Sequence, residues 1–552
     1  MPLMKRFYLV ILAILVACAP QSETTIIHNV NGYSLQEEDL TEFSVLVISD
    51  GKVLEVGDDD LAEKYEGNRI DGEGKTLLPG LIDAHGHVMG LGYQELQVNL
   101  MGLSSLDETL QAVKDYADAN PELEWIQGRG WNQTLWEENE FPTAEDLDRV
   151  VSDRPVWLSR VDGHAAWGNS LAMQLGGISK DTPDPQGGKI IRDNNGNATG
   201  IFIDAAEGYI QSVVPAPTVL ERSLALEKAL KEMARMGITG VHDAGVGVGT
   251  WELYKQFADN GKMTTRIYAM ISGAGDTFDE LSKDGPINSY ADDLLSLRSV
   301  KLYSDGALGS RGAALIEEYS DDPGNYGLLF LSQDEMNAMV SKVVGQGFQA
   351  NIHAIGDAGN RQVLDAIEFA QNEHQSFSLR NRVEHAQIVS LDDIPRFKEL
   401  DIIASMQPTH ATSDKNMAED RVGPHRIKGG YAWQKFLQQG TVVAAGSDFP
   451  VEQSNPFHGL YSAVTRMGHD GEPEGGWYPE ENMSRTEALR AFTLDAAYAA
   501  HQEEVLGSLE SGKWADFILI EQDYFEVDPS EIWQIEVLET WVAGKPVYQK
   551  EE

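Results

Sequence analysis

Leu77-Leu78-Pro79-Gly80-Leu81-Ile82-Asp83-Ala84-His85-Gly86-His87 is a short apolar run that ends in two histidines one residue apart. Side chains on a strand alternate between its faces, so a strand here would send His85 and His87 the same way. Two imidazoles on one face, at the end of a buried strand, make half of a metal site. An isolated His-x-His pair reads more readily as two loop histidines. The readings separate only if other segments supply further ligands in the same manner.

Other segments do. Leu224, Leu226, Ala229, Leu230, Met233 and Ala234 recur at helical spacing within residues 223–236, and Gly237 follows as a stop. Ile238-Thr239-Gly240-Val241-His242-Asp243-Ala244-Gly245 then reads as a strand and a loop. Further strands are expected over 266–271, 300–304, 349–354, 382–387, 402–407 and 441–447. Helices lie between most of them, 333–344 and 360–371 among these. With the strands before His85 and His242 the set comes to eight, which predicts an α/β fold, a (β/α)8 TIM-like barrel.

A barrel of this kind carries its chemistry at the carboxyl ends of its strands. Strand one ends in His85 and His87, strand four carries Lys301, strand five ends in His353, strand six in His385, and Asp448 follows strand eight. Singly, each has a bland reading: a packed histidine, a sheet-edge lysine, a helix-capping aspartate. Their coincidence at the ends of different strands points to one site.

Residues 88–222 are too long to be a simple connection after strand one and are expected to form an inserted subdomain over the barrel mouth. Within it, Trp131 and Trp136 would line a substrate wall or fill a core. His164, after the strand-like 156–159, would reach the substrate or pack. His410 ends strand seven and faces the same mouth. Arg311 would hold a substrate carboxylate or pair with one of the chain's many acids. His242 and Asp243 would orient ligands from behind.

The chain ends are built differently. Residues 43–48 and 53–57, joined by Ser49-Asp50-Gly51-Lys52, read as a hairpin. Residues 514–520 and 537–548 are also strand-like. We expect 24–78 and 505–552 to pair into a small β-sandwich domain that clasps the barrel of residues 79–504.

Residues 1–17 read as a signal peptide. Lys5 and Arg6 precede an apolar run at 7–16, which is too short to span a bilayer. Leu15-Val16-Ala17-Cys18 resembles a bacterial lipobox, implying cleavage before Cys18 and its lipidation, with 18–23 as a tether. Ala19, where an aspartate would favour the inner membrane, directs the expectation to the outer membrane, facing the periplasm. The chain would then be a lipoprotein of the bacterial cell envelope, touching the membrane through its lipid anchor alone. The alternative is an ordinary signal peptide that happens to contain a cysteine. Cys18 is the one cysteine, so no intrachain disulfide and no thiolate ligand are available.

The net charge of -46 is spread along the chain, which argues against nucleic acid as a partner. The glycine-rich Gly306-Ala307-Leu308-Gly309-Ser310 lacks the lysine of a phosphate loop.

Several segments together resemble the amidohydrolase superfamily, and within it the amidohydrolase-3 group that includes N-substituted formamide deformylases. They are residues 78–87, 237–245, Val300-Lys301-Leu302-Tyr303-Ser304-Asp305-Gly306-Ala307-Leu308-Gly309-Ser310-Arg311, Ala444-Ala445-Gly446-Ser447-Asp448 and 507–516. Gly128-Arg129-Gly130-Trp131 and residues 160–167 in the insertion match as well. The resemblance implies that His85, His87 and Asp448 bind one divalent metal and His353 and His385 a second, with zinc suited to these donors. It implies that carbon dioxide carboxylates Lys301, which then bridges the two ions. The implied enzyme hydrolyses a non-peptide C–N bond, an amide or N-substituted formamide of a small molecule, with Asp448 as proton shuttle. Such proteins are often homodimers. Cyclic-amide hydrolysis or ring deamination on the same site are the alternatives, and a non-catalytic envelope binding protein is a third.

Overall fold

The computed structural model of the protein describes residues 24–36, 39–137, 139–160, 165–185 and 188–551. The signal segment, Cys18 and His164 therefore lie outside the described residues.

The centre is a sheet of eight parallel strands: β1 (Leu81–Gly86), β2 (Ile238–Val246), β3 (Arg266–Ser272), β4 (Leu295–Tyr303), β5 (Gln349–Ala354), β6 (Arg382–His385), β7 (Ile403–Met406) and β8 (Val443–Ala445). Each pairs with its neighbours in chain order. The barrel is nearly closed. The seam between β8 and β1 is spanned by the Asp448 amide donating to the His85 carbonyl at 2.7 Å. Asp83 adds to it, accepting from the Ser447 amide at 3.1 Å and hydroxyl at 2.6 Å. The strands are buried on both faces, which explains their nearly continuous apolar character. Register brings polar strand ends together: Tyr303 lies opposite His353, His353 opposite Glu384, and Ala354 opposite His385.

Helices cover the outside. They include α1 (Val88–Glu95), α2 (Val219–Arg235), α3 (Gln333–Gly345) and α4 (Asp357–His374). Both α2 and α3 begin with capping boxes, Thr218 with Glu221 and Ser332 with Glu335, each satisfying amides the first turn leaves free. The buried stripe of α2 is Ala225, Leu226, Ala229, Leu230, Met233 and Ala234, while Leu224 turns toward solvent. Gly237, at φ 79°, ends that helix in the left-handed region.

The two chain ends share one eight-stranded sheet, in which Thr76–Pro79 pairs antiparallel with Phe517–Ile520. Asp39–Ser49 and Lys52–Gly57 form the expected hairpin, with Asp50 and Gly51 both at positive φ in its two-residue turn. Ile27, Phe43, Leu46, Leu77, Phe517 and Trp541 pack into the core of this sheet.

Residues after α1 build a separate six-stranded sheet with its own core. Trp131 and Trp136 belong to that core. Trp131 has no exposed surface, and its indole N–H donates to the Leu158 carbonyl at 2.8 Å. Of the two readings, substrate wall or core, the core one fits: both indoles face inward because this subdomain needs large apolar groups to bury its own sheet.

Candidate active site

The carboxyl ends of the strands open into a cavity of about 440 Å³ lined by His85, His87, Lys301, His353, His385 and Asp448. Donor atoms of His85, His385 and Asp448 lie within 4.8 Å of one another. His87 Nε2 sits 3.0 Å from Asp448 Oδ1, and His85 Nε2 is 3.6 Å from the same oxygen. Lys301 Nζ lies 2.8 Å from His85 Nε2. The His353 and His385 rings are 4.5 Å apart. His353 Nε2 is buried with no hydrogen-bond partner among the described residues.

The imidazoles are held from behind. His85 Nδ1 meets Glu384 Oε2 at 2.5 Å, and His385 Nδ1 meets Gln407 Oε1 at 2.7 Å. Both partners are acceptors, so each Nδ1 carries the proton and each Nε2 turns its lone pair to the cavity. Glu384 is in turn paired with Arg382 at 2.7 Å, both side chains fully buried. The Arg382 guanidinium also donates to His242 Nδ1 and the Ser405 hydroxyl at 2.8 Å each, and to the Ala84 carbonyl at 2.6 Å. His242 therefore acts through Arg382 rather than on a ligand directly. Asp243 accepts from the Val88 amide and the Tyr254 hydroxyl, fixing the start of α1 immediately after His87.

Burial sets the charge states. It pulls the His85 imidazole down to about 4, with nearby Lys301 adding to the effect, and pulls His353 down to about 3 for the same reasons. It also lowers the Lys301 ammonium to about 8. Burial opposes ionisation of Asp448, yet the His87 hydrogen bond and the surrounding imidazoles hold its carboxyl well below the usual range. At neutral pH His85, His353 and His385 are therefore neutral imidazoles beside the Asp448 carboxylate, the protonation states a divalent ion requires, while Lys301 is still largely an ammonium. His385, Ala386 and Asp448 all adopt positive φ, a conformation non-glycine residues seldom take and one that recurs at functional sites.

The remaining candidates divide. His410 lies in the short helix α5 (Pro408–Asp414) and lines the cavity, with Nε2 at 3.9 Å from Asp448 Oδ2 and its ring nearly parallel to that of His385. Arg311 makes a two-point pair with Asp321, at 3.1 and 2.9 Å, and Arg421 binds the same carboxylate. Of its two readings the pairing one holds, because an acid of its own chain already occupies the guanidinium. Glu384, Arg382 and Gln407 were not singled out from the sequence. The signal available was an alternation of Arg382 and Glu384 inside an otherwise apolar barrel strand.

A parallel barrel bearing a histidine–aspartate cluster at its carboxyl mouth defines a metal-dependent hydrolase. The chain belongs to the Amidohydrolase family (Amidohydro_3), whose profile matches residues 69–548. It is 36% identical to Protein LONG AFTER FAR-RED 3 of Arabidopsis thaliana, over 91% of this chain and 88% of that one. It is 33% identical to the putative amidohydrolase YtcJ of Bacillus subtilis, over 94% and 97%. The N-substituted formamide deformylase of Arthrobacter pascens is 27% identical, over 92% and 95%. Among solved structures, an uncharacterized metal-dependent hydrolase from Pyrococcus horikoshii superposes with a TM-score of 0.77 at 27% identity, covering 92% of this chain and 99% of that one.

Proposed function

We propose that this protein hydrolyses a carbon–nitrogen bond other than a peptide bond, in an amide or N-substituted formamide of a small molecule. The carrying observation is the convergence of His85, His87, His353, His385 and Asp448 around Lys301 in one cavity, with Nε2 of His85 and His385 turned inward by Glu384 and Gln407 and that of His85 facing Lys301. His85, His87 and Asp448 would hold one divalent ion and His353 and His385 a second, with zinc matching the nitrogen and oxygen donors. Ions bound there supply Lewis acidity and an acidified water.

Lys301 is the group in this reading that has to change. A buried ammonium would repel a dication, whereas burial already lowers Lys301 to about 8, which enlarges the neutral fraction that can add carbon dioxide. The amine nitrogen adds to the carbon of carbon dioxide and gives up one proton, leaving a carbamate whose single negative charge is shared by two oxygens. Asp448 is ionised and central. Its carboxylate takes the proton of the attacking water as the oxygen–carbon bond forms, then returns it to the nitrogen as the carbon–nitrogen bond breaks. The products are a carboxylic acid, formic acid for a formamide, and an amine. The Arthrobacter pascens relative, an N-substituted formamide deformylase, supports this bond type.

Elemental analysis after reconstitution with zinc and bicarbonate tests the reading. We expect about two ions per chain, falling in Lys301→Ala, and release of amine from N-acyl and N-formyl amines. One ion in both proteins would move the reading toward a mononuclear deaminase, and none would sink the hydrolase.

For location, we propose that the protein is tethered to the bacterial envelope through lipidated Cys18, on the outer membrane facing the periplasm. The support is the Leu15-Val16-Ala17-Cys18 segment. Cys18→Ser should release the protein from membranes; its retention there would count against the anchor.

A further inference from the structure

A second cavity of about 310 Å³ lies between the inserted subdomain and the loop that follows Asp448. It shares Val451 and Glu452 with the catalytic cavity, so the two adjoin. Its walls carry Gln94 from the end of α1, Gln97 just beyond it, Gln453, and Arg129. Local backbone geometry explains how Arg129 comes to face it. Arg129 lies on the strand Ile126–Trp131 between two glycines. A Cβ on Gly128 would meet Val98 and Leu158, and one on Gly130 would meet the Met101 backbone. Gly130, at φ 105°, marks a register shift between Arg129 and Trp131, so the bulged strand carries Arg129 between two residues without side chains where it meets the cavity.

Arg129 is exposed, and its guanidinium has no hydrogen-bond or ion-pair partner among the described residues. Arg311, the sequence-level candidate for a substrate carboxylate, is occupied by Asp321. Glu452, the acid common to both walls, turns one oxygen to the Ser413 hydroxyl and makes no ion pair with Arg129 among the described residues. Among the described residues lining this cavity, Arg129 is the guanidinium left without a partner, and carboxamides flank it.

We propose that this cavity is a distal subsite in which Arg129 anchors a carboxylate at the far end of the substrate, making the substrate an N-acylated amine that bears a terminal carboxylate. This rests on the C–N hydrolase reading for the reaction, but not for the binding. A guanidinium fork matches a carboxylate at two points, and such charge-assisted pairs are the stronger hydrogen bonds. Arg129 is a specificity determinant; it would act on binding of the substrate and leave the bond-breaking step alone.

The test uses full-length metal-loaded enzyme and N-formyl aminoalkanoates of graded chain length, each beside its primary-amide counterpart. Binding is measured by calorimetry and turnover separately. We expect one chain length at which the carboxylate binds about 10- to 100-fold more tightly than the amide. In Arg129→Gln the preference should vanish, with affinity for the amide and metal content unchanged. Equal binding of the two series at every length, or a preference that survives Arg129→Gln, would overturn the proposal. A preference that depends on Arg129 without hydrolysis of any compound would support the subsite while sinking the C–N reading.

Discussion

The Nδ1–H of His85 donates to Glu384 at 2.5 Å, with both side chains wholly buried, and this bond determines which nitrogen faces the cavity. Glu384→Gln keeps the shape but removes the charge that makes His85 a strong donor. We expect metal affinity to fall by about 10- to 100-fold, as measured by competition with a chromophoric chelator. Affinity equal to wild type would show that the ring is positioned by packing alone.

Arg382 and Glu384 form an ion pair with no exposed surface. Arg382→Met strands the Glu384 anion, with an expected loss of about 3–5 kcal/mol in unfolding stability. Replacing both, Arg382→Met with Glu384→Leu, should recover part of that loss, since a well-packed apolar pair avoids the desolvation cost. Metal affinity should not recover in the double variant. Chemical denaturation gives the first quantity and chelator competition the second; recovery of both would separate this pair from the metal site.

The barrel was legible because its strands are apolar runs with polar terminators at regular intervals, and β5 matches the expected bounds of 349–354. Expected ends drifted where chemistry intervenes. β6 stops at His385 rather than at residue 387, because His385 and Ala386 turn into positive φ. The site's histidines were readable as strand-end residues, but their supports were not. Glu384 and Gln407 reach His85 and His385 across different strands, and such contacts depend on barrel register that no local pattern encodes. Tryptophans in the insertion stay open for a related reason: an indole suits a substrate wall or a subdomain core, and the sheet topology distinguishes them.

That distinction is itself testable. Trp131 is fully buried beside Trp136 and Trp167, with its N–H satisfied by Leu158. Trp131→Ala should destabilise the protein by about 3–5 kcal/mol through the cavity it leaves. Below its lowered melting temperature, the variant's KM should stay close to wild type. A raised KM with unchanged melting would restore the wall.

His501 offers a pH prediction away from the metal ligands. Burial lowers its imidazole from 6.5 to about 4, with Arg298 and Arg380 adding to the effect, while Nε2 lies 3.1 Å from the Leu379 carbonyl. The folded state thus favours neutral His501, and the unfolded chain binds its proton first as pH falls. The contribution is fully present above 6.5 and is lost as pH drops toward 4, so stability should decline with acid across that window. His501→Asn suits the site's positive φ of 58° and removes the titrating group. Denaturation midpoints recorded against pH should fall less steeply for the variant between those limits, and the two curves should run parallel at higher pH. The buried metal-site histidines contribute equally to both proteins and cancel in the difference, so coincident slopes would mean that His501 is protonated in the folded state.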